Sequence, residues 1–307
     1  MKKKLTVKAS MQSRDDFDDD DDLIAYLARQ LVNGRLALVL GAGLSVPFGL
    51  PDWPSLLKKL YSMRRSRPPK GLSLTRQAED YRNHYFKSDR AGFIQAVHDG
   101  LYDKMSVDFD LLRQNATLGA IGALVMASRR GSVSEVITFN WDDLLELYLG
   151  YHGFAVRHVF EETHWNSRSD VTILHPHGFI PYDLASQPSS SDLVFDQMSY
   201  SEVCGDDKRP WRQRMLSTMR THSCLFIGLS GEDANLDSLL CACGPQHAAI
   251  KENTVFWGVR FTTSRSRAEQ RSWERRGVYC KRVANYESGL PEFLFAICQR
   301  AAGVVGT

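Results

Sequence analysis

The chain has 307 residues, 43% of them hydrophobic and 24% charged, ordinary proportions that exclude a disordered, collagen-like or coiled-coil protein. Lysine plus arginine (38) against aspartate plus glutamate (36) leaves +2, too little for bulk charge to argue for nucleic acid or a membrane surface. No apolar run approaches the ~18 residues that span a bilayer, and the length suits two average domains or one large α/β domain with an insertion.

Residues 1–22 carry five basic and seven acidic side chains and no apolar stretch of the kind a secretory signal needs. The block Asp18 to Asp22 repels itself, so 1–22 is expected to be a flexible charged arm and 23–307 the folded unit. Its acidic end would also favour the N-terminus of the helix that follows. That helix, LIAYLARQLVNG, puts Leu23, Tyr26, Leu27 and Leu31 on one face and stops at Asn33-Gly34. LALVLGAG comes next, an all-apolar run ending in glycines, as expected of a buried parallel strand covered on both faces.

From about Leu72 to Arg130 the pattern is helical, set off by the basic segment RRSRPPKG, and reads as an insertion between the first two strands. Its Tyr81, Tyr85, Phe86, Phe93 and Tyr102 form either an oligomer face or, as the preferred expectation, the module's own core. Six further strands are predicted in VSEVITF, AVRHVF, VTILH, SCLFIGL, NTVFWGVRF and VYCKRVA, with helices between most of them. Seven strands in βαβ alternation predict an α/β, doubly wound sheet. Six cysteines without a CxxC pair read as reduced thiols of a cytoplasmic protein. Residues 259–282 hold eight Lys or Arg against two Glu. A solvated face explains that balance more simply than contact with nucleic acid or an acidic partner.

Ligands of open α/β sheets bind outside the carboxyl ends of the strands, and five polar interruptions fall there. Gly41-Ala42-Gly43-Leu44-Ser45 follows the first strand. Two glycines would let backbone N–H groups approach a pyrophosphate, or simply make a strand-to-helix turn. Val46 at the sixth position and no ribose-binding acid ~20 residues on exclude the ordinary dehydrogenase fingerprint. Gly49-Leu50-Pro51-Asp52-Trp53 is a helix-opening turn capped by Asp52, or a loop over a ligand with Trp53 as an apolar wall. Thr138-Phe139-Asn140-Trp141-Asp142 supplies either a helix cap or an amide and a carboxylate at a reacting centre. In His175-Pro176-His177-Gly178, His177 is the candidate base and His175 is expected to point back into the sheet. The fifth, Gly228 to Asn235, permits close backbone approach through Gly228 and Ser230, with Asp233 and Asn235 free to bond hydroxyls or to cap the next helix.

In this order, GAGLS…GLPDW, TFNWD, PHG and FIGLSGEDANL resemble the sirtuin-like (silent information regulator) superfamily, and its bacterial NAD-hydrolysing branch found in anti-phage defence, over roughly residues 23–300. The resemblance implies a Rossmann-like, mostly parallel sheet with an inserted helical module and NAD as the substrate. It implies catalysis by Asn140 and His177 with Asp142 beside them. Gly41, Ala42, Gly43 and Ser45 would hold phosphates and ribose, while Gly228, Ser230 and Asn235 would contact the adenosine side. Asp52, Trp53 and Thr138 would complete the pocket. Only Cys241-Ala242-Cys243 stands where deacetylating sirtuins carry two Cys-x-x-Cys pairs, so no zinc module and no metal are expected. Trp53-Pro54 also replaces the Phe-Arg of the sirtuin cofactor loop.

Both departures favour NAD+ hydrolysis, to nicotinamide and ADP-ribose, over a protein deacylase or ADP-ribosyltransferase. Those transferases stay the first alternative, and a non-catalytic NAD or ADP-ribose sensor is the second, against which Asn140 and His177 count because a pure binder needs no base. An enzyme of this kind needs restraint. The resemblance implies homo-oligomerisation or a separately encoded activator such as a motor ATPase or an Argonaute-type protein.

Overall fold

The computed structural model describes residues 13–103, 105–126, 128, 130–161, 169–205, 210–250 and 255–305. Residues 1–12 of the expected arm lie outside them. Seven strands form one sheet: β1 (Leu36–Leu40), β2 (Glu135–Thr138), β3 (Val156–Val159), β4 (Val171–Leu174), β5 (Ser223–Ile227), β6 (Gly258–Thr262) and β7 (Val278–Arg282). All neighbours pair in parallel, in the order β3-β4-β2-β1-β5-β6-β7. From β1 the chain runs through β2 to the edge strand β3, returns to β4 and then crosses to β5, so the topological switch lies between β1 and β5. This is the expected doubly wound, Rossmann-like α/β fold.

Apolar residues occupy every position of β1 because helices cover both of its faces. Leu36, Leu38 and Leu40 join a core with helices Asp20–Val32, Trp53–Met63, Leu144–Tyr151 and Gly289–Val305 and with the insertion. Ala37 and Val39 turn the other way, onto helices Pro210–Thr221, Ala234–Ile250 and Arg267–Glu274. One residue of register would exchange the two faces, which is how the alternation pins the strand.

Helices Leu74–Tyr85, Arg90–Tyr102, Phe109–Gln114 and Ala116–Val125 make up the insertion. The side chains of Ser73, Asp89, Asp108 and Asn115 cap them by accepting a backbone N–H two or three residues into each helix. Tyr81, Phe86, Phe93 and Tyr102 are buried, so these aromatics form core rather than an oligomer face. A run of close ring contacts leads from Phe86 through Phe93 and Phe195 to Trp53 and Trp141.

Residues 13–22 depart from the expected flexible arm. Ser13 caps a short helix, Arg14–Asp18, in a reciprocal box with Asp16, and Asp19 then caps the helix Asp20–Val32. Phe17 is fully buried against Tyr26, Phe256 and Tyr279. Arg14 pairs with Glu274 at 2.7 Å, and the Tyr279 hydroxyl donates to Asp18. Aspartates at helix N-termini are stabilised by unpaired N–H groups and the dipole, so the acidic run fits ordered structure. Among the described residues no helix is long and apolar enough to cross a membrane. Phe17→Ala is expected to lower stability by about 3–5 kcal/mol, read as a shift of the denaturant midpoint at constant slope. A loss under ~0.5 kcal/mol would show that Phe17 is not part of the core.

Candidate active site

The carboxyl ends of four adjacent strands, β4, β2, β1 and β5, bring four of the five polar turns to one rim. After β1 the chain makes two 3-10 turns, Ala42–Leu44 and Val46–Phe48. Gly41 N–H donates to Ile227 O and Gly43 N–H donates to Gly228 O, each at 3.0 Å. A Cβ on Gly43 would lie 2.7 Å from Gly228 Cα, and Gly228 itself has φ +72°. The glycines therefore serve first to press two turns together. Their two N–H groups, expected to face a pyrophosphate, bond to the β5 end instead. The exposed backbone there belongs to Ala42 and Gly43.

Ser45 sits where the turn re-enters the protein, and it is buried. Its hydroxyl donates to Asp142 Oδ2 at 2.7 Å and accepts from Asn140 Nδ2 at 3.0 Å. The serine expected to hold phosphate or ribose is instead the hinge of a Ser45–Asn140–Asp142 set. Thr138 Oγ1 accepts from Asn140 N–H, and Asp142 Oδ1 accepts from Leu144 N–H at the start of the following helix. Asn140 Oδ1 is buried with no hydrogen-bond partner, the one open polar valence of the set. Burial first, with the charge of Glu146 adding to it, pushes the Asp142 carboxyl up to about 6.

His175 and His177 separate clearly. His175 lies between Asn140 O at 3.1 Å and Glu146 Oε1 at 2.6 Å, a structural clasp that holds the β2 turn from behind. His177 is also buried, and desolvation lowers its pKa from the ordinary histidine value. Burial thus favours its neutral form, the state a base needs. Its Nε2 lies 3.4 Å from Asn235 Nδ2 and 3.8 Å from Asp233 Oδ2, with Phe139 and Tyr200 packed against the ring. Trp141 Nε1–H donates to His177 O at 2.9 Å. The loops bearing Asn140 and His177 thus touch directly.

Asn235, expected to contact adenosine, is fully buried against His177, with its Oδ1 unpartnered. Asp233 caps the helix Ala234–Ile250 by accepting from Leu236 N–H, and it also accepts from the Tyr200 hydroxyl. Asp52 acts as the helix cap, accepting from Ser55 N–H, while Trp53 stands edge-on to Trp141 and Phe195. Ser230 is exposed, and its Oγ accepts from Glu232 N–H.

Two residues at the site carry no signal in the sequence. Tyr200 lies in an unremarkable polar helix, Gln197–Gly205. Asp143 hides beside Asp142; it is fully buried, with Oδ1 accepting from Tyr182 N–H and the Tyr102 hydroxyl. Among the described residues no group of three His, Cys, Asp or Glu side chains is placed to hold a metal.

Asp143 Oδ2 has no partner, and burial, reinforced by Glu146, pushes its carboxyl up to about 7. A raised folded-state value means that this group favours the fold when protonated, and that this advantage is lost as pH rises through about 7. Asp143→Asn keeps the oxygen that accepts both bonds and removes the charge. The variant is expected to be more stable than wild type by about 1–3 kcal/mol at pH 8, with the gain shrinking toward pH 5. Thermal melts across that range check it, and a gain independent of pH would refute the assignment.

Residues 134–280 match a family described as SIR2-like domain, a stretch that begins at β2 and leaves out the β1 turn and the insertion. The chain is 22% identical over 225 residues to the NAD(+) hydrolase ThsA of Enterococcus faecium, covering 72% of this chain and 42% of that protein. It is 24% identical over 221 residues to the NAD(+) hydrolase ThsA of Acinetobacter baumannii (strain 532279), covering 71% and 41%. The chain thus spans less than half the length of these curated relatives. A crystal structure of a Sir2 homologue in complex with NAD superposes with a TM-score of 0.45 at 13% identity, over 97% of this chain and 98% of that one. Residues 134–280, just under half of the chain, are thus similar to a SIR2-like domain.

Proposed function

We propose that the chain is an NAD+ glycohydrolase that cleaves the nicotinamide–ribose bond to give nicotinamide and ADP-ribose. One observation carries this: a buried, hydrogen-bonded Ser45–Asn140–Asp142 set with one open amide oxygen stands on a turn whose Trp141 donates to the backbone of the buried His177. The two similar ThsA proteins, named NAD(+) hydrolases, support it.

Nicotinamide leaves NAD+ as a neutral pyridine, taking the electron pair of the C1′–N bond, and the ribose passes through an oxocarbenium-like state. In this reading the Asp142 carboxylate faces that developing charge, where low dielectric strengthens the attraction. Asn140, with its amide nitrogen held by Ser45, aims its free oxygen at the attacking water or a ribose hydroxyl. His177 accepts the proton that the water loses as its oxygen bonds to C1′. The pyrophosphate lies over the exposed Ala42–Gly43 turn, with adenosine toward Gly228 and Ser230. Trp53 and Trp141 wall the nicotinamide end.

Unrestrained hydrolysis would empty a cell of NAD+. The proposal therefore includes a cytoplasmic setting in anti-phage defence, where activation ends in abortive infection. Control comes from self-association or from a separate partner such as a motor ATPase or an Argonaute-type protein.

Purified protein supplied with NAD+ is expected to release nicotinamide, and His177→Ala and Asn140→Ala to slow release by about 10²–10⁴-fold. Unchanged turnover in both variants would remove the site from the reaction. The pH profile is a second check. His177 is held below its ordinary value and Asp142 is pushed up to about 6, and both act unprotonated. The rate is therefore expected to be flat from pH 7 to 8.5 and to fall below about pH 6; a rise toward acid would contradict these roles.

A further inference from the structure

A cavity of about 430 Å³ lies between β6, β7 and the helix Arg267–Glu274, and none of Ser45, Asn140, Asp142 and His177 lines it. Its walls include Arg260, Arg265, Arg267 and Arg282, with hydroxyls from Ser264 and Ser266. Lys281, which also lines it, is paired with Asp20. Glu269 is the one acidic lining residue, and it is bonded to Arg260 at 2.5 Å.

Arg260 is the decisive residue. It is buried, with its guanidinium 4.8 Å from the Trp273 ring and bonded to Leu229 O and Glu269, yet its Nη1 is buried with no partner. A buried guanidinium with one nitrogen left unpaired is costly unless a partner completes it. Arg265, Arg267 and Arg282 are exposed and form no ion pair with any described residue. We propose that this cavity binds a phosphate group carried by a nucleotide. Planar arginine forks with neighbouring hydroxyls suit phosphate oxygens, and the volume is that of a small-molecule site rather than of a lone ion. Through its bond to Leu229 O, Arg260 joins the cavity to the turn after β5. The phosphate is therefore either a 2′-phosphate at the adenosine end of a dinucleotide or part of a separate mononucleotide.

Calorimetry on the full chain with NADH, NADPH and 5′-AMP tests this. None of these ligands loses nicotinamide by the proposed reaction, so the result stands apart from the hydrolase reading. A dinucleotide-borne phosphate predicts NADPH binding about tenfold or more tighter than NADH. A separate nucleotide predicts 5′-AMP binding in the presence of saturating NADH. In either case Arg265→Ala/Arg282→Ala removes about tenfold in affinity or more with an unchanged melting temperature, and added salt weakens binding. The proposal fails if NADPH and NADH bind alike and 5′-AMP does not bind. It fails also if the double variant loses nothing, or if a single-stranded oligonucleotide binds through the same arginines more tightly than any of the three ligands.

Discussion

The backbone contact between the turns after β1 and β5 is the constraint on which the site depends. Gly41 and Gly43 donate to Ile227 and Gly228, and at each of these glycines a Cβ would meet heavy atoms closer than 3 Å. That contact sets where Ser45 re-enters the protein, and Ser45 in turn fixes the amide of Asn140 and the carboxylate of Asp142. The strands on either side then only have to bring His177 and Asn235 up to the same rim.

The polar cluster so formed is expensive for the fold. Asp142 and Asp143 are both buried beside Glu146, and both carboxyls are held above the usual carboxylate range. Hydrogen bonds from Ser45, Leu144, Tyr182 and Tyr102 offset only part of the lost hydration. Three buried amide or carboxylate oxygens, on Asn140, Asp143 and Asn235, have no partner. The unmet amide and carboxylate oxygens among the described residues all fall on the turns after β2 and β5, which fits a cluster kept for chemistry rather than for stability.

The sheet was largely legible because its strands are short apolar runs, a pattern that buried parallel pairing requires; all seven appear where LALVL, VITF and the others predict them. The acidic run misled because charge count hides a single aromatic: Phe17 among aspartates decides the packing of residues 13–22. At the site, strand ends located the polar turns, and the structure separates His175, bonded to Glu146, from His177, which faces Asn235. Side-chain direction was not legible. Asn235 faces His177 from the first turn of the helix that Asp233 caps. Likewise, no spacing rule distinguishes glycines that leave room for a ligand from glycines that leave room for a second turn. Tyr200 reaches His177 from a distant helix, a contact with no local trace.

The placement of β1 has a consequence for how the protein reaches its folded state. Leu38 pairs with Val136 on one side and Leu225 on the other, so the middle of the sheet waits for segments about a hundred and nearly two hundred residues downstream. Contacts of such long range are slow to form because large loops must close first. During synthesis the first strand emerges well before either neighbour. The helix Asp20–Val32, joined to β1 by a short turn, is the local element that can shield its apolar surface through that interval.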